Sequence, residues 1–241
     1  MSDTVGTPAA SDAQPTVAAA PAQPDGYTLW VVLRRDPAYP AEIEAGTKKL
    51  EKVIADAAND DVTLRGFYDV SGLRADADLM FWIHGPSPEK LQEVARAIRR
   101  TKLLHTLLPT WSALGVHRAA EFNKAHIPGF LRGVEAKRWL TVYPFNRSYD
   151  WYILPEEDRS RMLADHGRRG AAFKGVTANT VAAFALGDYE WLLPMEADEL
   201  SDLVDMMRDL RYTEARLHVR EETPFFTGRR IQFHEIAEVI A

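Results

Sequence analysis

The chain has 241 residues, 46% of them hydrophobic, enough to bury a sizeable core and to exclude a wholly disordered protein. No run of uncharged, mostly apolar residues approaches the roughly 18 to 20 needed to cross a bilayer, and a net charge of −6 is the wrong sign for a whole-surface nucleic-acid or anionic-membrane binder. Cysteine is absent, which removes disulfides, thiolate metal sites, cysteine nucleophiles and covalent haem attachment, so any redox chemistry must come from a cofactor.

Residues 1–26 hold seven alanines and four prolines with no aromatic or basic residue, and read as a disordered tail. They lack the basic start and apolar stretch of a secretory signal, so a cytoplasmic protein is expected. At Tyr27 the pattern changes to Tyr-Thr-Leu-Trp-Val-Val-Leu, a β-branched and aromatic run that suits a buried strand. A helix carrying Ile43, Leu50, Val53, Ile54 and Ala57 on one face is expected next, then strands at 62–70 and 79–84 with a turn at Gly72. Ser87 and Pro88 mark a helix start, Leu91, Val94, Ala95 and Ile98 its apolar face, and 110–116 a further strand. The first half, 27–118, therefore reads βαββαβ.

Residues 119–136 contain Pro128, Gly129 and Gly133 in a stretch without periodicity and form a connecting loop. The second half, 137–241, repeats the element order: a strand at 139–143, a helix at about 155–170, strands at 181–186 and 189–193, then another helix and strand. Leu200, Leu203, Val204 and Met207 each stand 109 positions after Leu91, Val94, Ala95 and Ile98. This constant offset suggests an internal duplication. Two βαββαβ units side by side predict an α+β fold, two ferredoxin-like repeats forming a dimeric α+β barrel within one chain, with a ligand cavity between sheet and helices.

Motifs of zinc proteases, dinucleotide enzymes, P-loop enzymes and common hydrolases are missing. Among seven histidines, His166 follows Met162 by four positions and Leu163 by three, which puts it on the inner face of its helix. The position admits either a hydrogen-bonded core histidine or an axial haem ligand, with Gly170 one turn on leaving room for a flat group. Tyr143 ends the preceding strand ahead of Pro144, Phe145, Asn146 and Arg147, and is readable as a core tyrosine or an exposed strand terminus. Trp151 and Tyr152 add aromatic surface. His126 in the connecting loop is either a surface histidine or a functional group carried on a lid. Arg132, Arg138, Arg147, Arg168, Arg169 and Arg211 would neutralise several carboxylates if some of them converge.

Tyr143-Pro-Phe-Asn-Arg147, His166 placed 23 residues later in Ala-Asp-His-Gly-Arg, and Pro224-Phe-Phe-Thr-Gly228 together resemble the coproheme decarboxylases of the chlorite-dismutase superfamily, over about 27–241. The actinobacterial branch is closest, since it also has a histidine where His126 stands. The resemblance implies a homopentamer that binds Fe-coproporphyrin III (coproheme) in the C-terminal half, with His166 as proximal iron ligand. It implies the last step of a coproporphyrin-dependent haem pathway, in which hydrogen peroxide drives conversion of two propionates to vinyls, giving haem b through a monovinyl, monopropionate intermediate. On the same resemblance His126 is the distal base and Tyr143 the radical-forming residue. Pro144, Phe145, Asn146 and Arg147 hold the substrate, Trp151 and Arg211 add contacts, and a ferrochelatase that supplies coproheme is a transient partner. Phe145 and Arg147 stand where another branch has methionine and lysine, so its propionate pairing does not carry over. Residues 175–180 offer no basic side chain where chlorite-degrading relatives have a distal arginine, which disfavours chlorite dismutation. A haem peroxidase of the same fold, a haem carrier or sensor, and a cofactor-free barrel are the alternatives.

Overall fold

The computed structural model describes residues 26–118 and 127–241. The expected N-terminal tail, up to residue 25, and His126 lie outside the described residues.

The first half runs β1 (Tyr27–Arg34), α1 (Lys48–Ala57), β2 (Thr63–Asp69), β3 (Leu79–Gly85), α2 (Pro88–Arg99) and β4 (Leu108–Val116). The second runs β5 (Trp139–Arg147), α3 (Glu156–Gly170), β6 (Val176–Ala178), β7 (Val181–Ala182), β8 (Trp191–Ala197), α4 (Leu200–Leu210), β9 (Val219–Glu221), β10 (Phe226–Ile231) and α5 (Phe233–Val239). Neighbouring strands follow the order β8-β7-β4-β1-β3-β2-β10-β5, and β5 pairs back onto β8, so eight antiparallel strands close into a barrel. In each half the first strand lies between the third and the fourth: β1 between β3 and β4, β5 between β8 and β10. Closure removes the open edges of the sheet.

Period-two alternation of the side chains assigns each strand residue to a layer. Trp30, Val32, Tyr68, Met80, Trp82, Leu140, Val142, Leu192 and Phe226 fill the barrel interior. Val31, Leu33, Phe67, Phe81 and Ile83 point outward and are covered by α1, α2 and α5 through Leu50, Leu91, Ile98 and Ile236. Strands buried on both faces explain the near-continuous apolar runs of β1 and β3. On the outer face of the second half, Tyr143, Met195 and Ala197 pack under α4 through Leu203 and Met206.

Local chemistry sets the ends of these elements. Ser87 caps α2, its Oγ accepting from the Lys90 N–H at 3.2 Å, with Pro88 at the first helical position. Gly72 turns the chain between β2 and β3 with φ at +69°, a conformation that L side chains rarely adopt. A Cβ at Gly228 would stand 2.8 Å from Val70 Cγ1 and 2.9 Å from the Asp69 carbonyl oxygen, so only glycine lets β10 lie this close to β2.

The structure corrects several sequence expectations. Ile43 lies in a separate 3-10 turn, Ile43–Ala45, and not on α1. β5 does not stop at Tyr143: Pro144 and Phe145 pair with Leu192 and Trp191 of β8, and the strand continues to Arg147. Pro144 sits where the opposite edge of β5 changes partner from β10 to β9, so its missing N–H interrupts no ladder. The strand expected at 181–186 shrinks to Val181–Ala182, because the backbone turns at Ala185, which has φ at +61°. β6 and α5 were not anticipated. On α4, Val204 is exposed and Met206 buried, so the 109-residue offset does not trace the buried face.

Candidate active site

Residues 141, 143, 145 and 147 alternate onto the outer face of β5, where α4 covers Tyr143, while α3, the His166 helix, packs beside α4 and meets Trp151 through Met162. Tyr143 is 3% exposed. Its ring stacks on Phe225 with centroids 4.2 Å apart and planes at 17°, and its hydroxyl donates to Met207 Sδ at 3.5 Å. Burial, then the Glu222 carboxylate, push the phenol well above its ordinary pKa, while Arg211 and Arg216 act the other way. Tyr143 is thus held as a neutral phenol with its proton in place.

His166 is half-buried on α3, with Nδ1 3.4 Å from Thr213 Oγ1. Burial, then Arg147, pull the imidazole below its ordinary range, against Asp165 and Glu222. Glu222 contributes to the shifts of both groups, raising the phenol and opposing the fall of the imidazole. Nε2 of His166 has no hydrogen-bond partner among the described residues, and a neutral imidazole with one nitrogen anchored and the other unengaged is what axial iron ligation requires. At Gly170 a Cβ would meet one atom within 4 Å, Leu210 Cδ2 at 3.9 Å, so the position is not tightly packed.

Arg147 lies with its guanidinium carbon 4.0 Å from the Trp151 ring centroid and 4.6 Å from that of Phe145. Trp151 is buried with Met162 and Ala215, so it supports Arg147 and the α3 face at once. Arg211 and Arg216 converge on Glu222, with contacts of 2.9 and 2.7 Å. Asn146 uses its side chain within the fold: Nδ2 donates to Glu221 at 2.9 Å and Oδ1 accepts from the Glu190 N–H at 2.7 Å. Arg168 pairs with Asp165, Arg169 with Asp165 and Asp209, and the structure groups neither with Tyr143.

The sequence reading missed Arg216, Glu222 and Thr213, which carry no motif and join the site only through the segment after α4. Phe225 stood inside a quoted motif and Met207 inside an apolar set, but neither pattern showed that both touch the phenol. In the segment 175–180, Asn179 is fully buried and bonds Phe130 N–H and Glu196, and no cation is present. An open hollow of about 520 Å³ lies against α3 beside Arg161, Asp165, Arg168 and Glu214; Tyr143, Arg147 and His166 do not line it.

The family model described as chlorite dismutase matches residues 43–231. A coproheme decarboxylase of Mycolicibacterium smegmatis is 57% identical over 176 residues, 73% of this chain and 76% of that protein. Two solved structures of chlorite dismutase from Candidatus Nitrospira defluvii share the fold: a double variant with TM-score 0.77 at 20% identity, covering 90% of this chain and 96% of that one, and a complex with imidazole with TM-score 0.77 at 19% identity, covering 88% and 94%. By its sequence, the chain belongs to the chlorite dismutase family.

Proposed function

We propose that this chain is a coproheme decarboxylase of haem biosynthesis, which uses hydrogen peroxide to convert two propionates of Fe-coproporphyrin III to the vinyls of haem b. The observation that carries this reading is geometric: a buried Tyr143 phenol stacked on Phe225, and a half-buried His166 whose Nδ1 is anchored on Thr213 while Nε2 has no hydrogen-bond partner among the described residues. The 57% identity to a protein of that name supports it.

Each step balances as one propionic acid side chain and one hydrogen peroxide giving a vinyl, carbon dioxide and two waters. Hydrogen peroxide supplies the two oxidising equivalents of each step, and the iron of the bound substrate would relay them. Tyr143 would pass its phenolic proton and an electron to the peroxide-oxidised substrate and then regain a hydrogen atom from the propionate β-carbon; the second electron would go to the same oxidant as carbon dioxide leaves. Met207 stands against the phenol oxygen, so a substrate carbon that reaches Tyr143 takes the place of its thioether. Arg147, stacked on Trp151, offers a fixed cation for a propionate, and Arg211 a second beside Glu222. Pro144, Phe145 and Asn146 shape the strand under the substrate. The role of His126 as distal base rests on the resemblance alone. The same reading includes residues 27–118 and 137–241 as two ferredoxin-like repeats, a homopentamer in the cytoplasm, and transient contact with a ferrochelatase. Among the described residues no helix is long and apolar enough to cross a membrane.

The test is to load the purified chain with ferric coproheme, add hydrogen peroxide and follow product masses. Two successive losses of carbon dioxide plus two hydrogens support the proposal. Coproheme that stays intact while phenols are oxidised would make the protein a haem peroxidase instead.

A further inference from the structure

Thr213 is buried between the end of α4 and α3, and its single hydroxyl proton has a defined destination: Oγ1 donates to the Leu210 carbonyl oxygen at 2.9 Å. A hydroxyl has one donor hydrogen and two acceptor lone pairs. Toward the His166 Nδ1 at 3.4 Å it is therefore left only to accept, and Nδ1 must be the nitrogen that carries the imidazole proton. A neutral imidazole protonated at Nδ1 has its lone pair on Nε2.

We propose that Thr213 is the positioning residue that selects the Nδ1-protonated tautomer of His166, so that Nε2 is presented as a ready ligand before any porphyrin arrives. The inference deepens the functional reading and rests on it for the identity of the ligand that Nε2 meets. Its physical content is separate, because the tautomer is set by Leu210, Thr213 and His166 alone. The Leu210 carbonyl belongs to the last residue of α4 and lacks an intrahelical donor, so the helix end orients the hydroxyl and the hydroxyl orients the ring. A hydroxyl is a weaker acceptor than the carboxylate that often orients a metal-bound histidine. His166 therefore keeps its Nδ1 proton and acts as a neutral donor of modest strength.

The experiment uses the full chain without porphyrin, labelled with ¹⁵N-histidine, with His166 identified by the signals lost in His166→Gln. Long-range proton–nitrogen correlation should show Nδ1 protonated and Nε2 bare in the wild type. Thr213→Val keeps the shape and removes the acceptor, and should shift His166 towards the Nε2-protonated form; Thr213→Ser should restore the wild-type pattern. After loading with ferric coproheme and reduction, the iron–histidine stretching band should move in Thr213→Val and return in Thr213→Ser. An Nε2-protonated ring in the wild type overturns the proposal, as does a Thr213→Val ring unchanged from it. A Thr213→Ser variant that behaves like valine assigns the effect to methyl packing and also overturns it. If Thr213→Val does not fold, the wild-type tautomer alone decides. Failure of the functional reading would appear separately, as coproheme that peroxide does not convert while the tautomer is as stated.

Discussion

At Asn146, a residue placed by the sequence among the substrate contacts, both ends of the side-chain amide are engaged, one with the Glu221 carboxylate and one with the Glu190 N–H. Asn146→Asp would set a buried carboxylate against that of the exposed Glu221 and remove the donated hydrogen bond, and is expected to cost about 1 to 3 kcal/mol. Urea unfolding of the porphyrin-free chain measures this, and an unchanged midpoint would contradict the assignment. Arg147 differs, since its guanidinium lies against the Phe145 and Trp151 rings on the site face. Arg147→Met should weaken coproheme binding about tenfold, of order 1.4 kcal/mol, as read from spectral titration. Equal affinity in the two proteins would remove Arg147 from the propionate contacts.

The helices and strands show how far pattern carries and where it stops. Strands buried on both faces declare themselves as apolar runs, so β1, β3 and most of β5 are legible. α2 is legible too, with its cap, its proline and all four residues of its apolar face buried as expected. α4 is not: its apolar residues surround more than one face, and only packing against β5 and β8 decides that Met206 is inside and Val204 outside. Met206→Ala should therefore cost about 2 to 4 kcal/mol and Val204→Ala no more than about 0.5 kcal/mol, as measured by denaturant unfolding. Equal costs would return α4 to the face the sequence suggested. Short pieces such as β6 and β7 exist because β8 offers them an edge, which no local propensity encodes. The same limit applies to the site. Tyr143, Arg147 and His166 were visible as a motif and a helical position, whereas Thr213, Arg216 and Glu222 reach it through irregular chain.

For the whole molecule, the joint between halves is a buried ion pair. Arg65 of β2 meets Glu196 of β8 at 3.2 and 2.7 Å and also donates to the Val134 carbonyl, while Asn179 links Glu196 to the Phe130 N–H. Glu196→Ala leaves a buried guanidinium unpaired and should cost about 3 to 5 kcal/mol; a smaller loss than in exposed pairs such as Lys52–Asp56 would show that the joint is dispensable. Nearby, burial and then Arg65 lower the His84 pKa from 6.5 to about 4, in a cleft shared with Glu135 and Arg230. Between pH 4 and 6.5 the unfolded chain then binds more protons, so this contribution is complete above pH 6.5 and falls away towards pH 4, by about 3 kcal/mol in all. His84→Gln should flatten that part of the stability profile, and an unaltered slope would show that His84 is not held neutral. The central claim concerns chemistry at one phenol, and Tyr143→Phe isolates it, since the ring, its stacking on Phe225 and its burial are all retained. The decisive measurement loads wild type and Tyr143→Phe with ferric coproheme and follows the masses formed as hydrogen peroxide is added. The account predicts two successive losses of carbon dioxide plus two hydrogens in the wild type, and a variant that binds coproheme equally but is slower by at least about a hundredfold. Conversion at the wild-type rate in Tyr143→Phe, or no conversion in either protein, would contradict it.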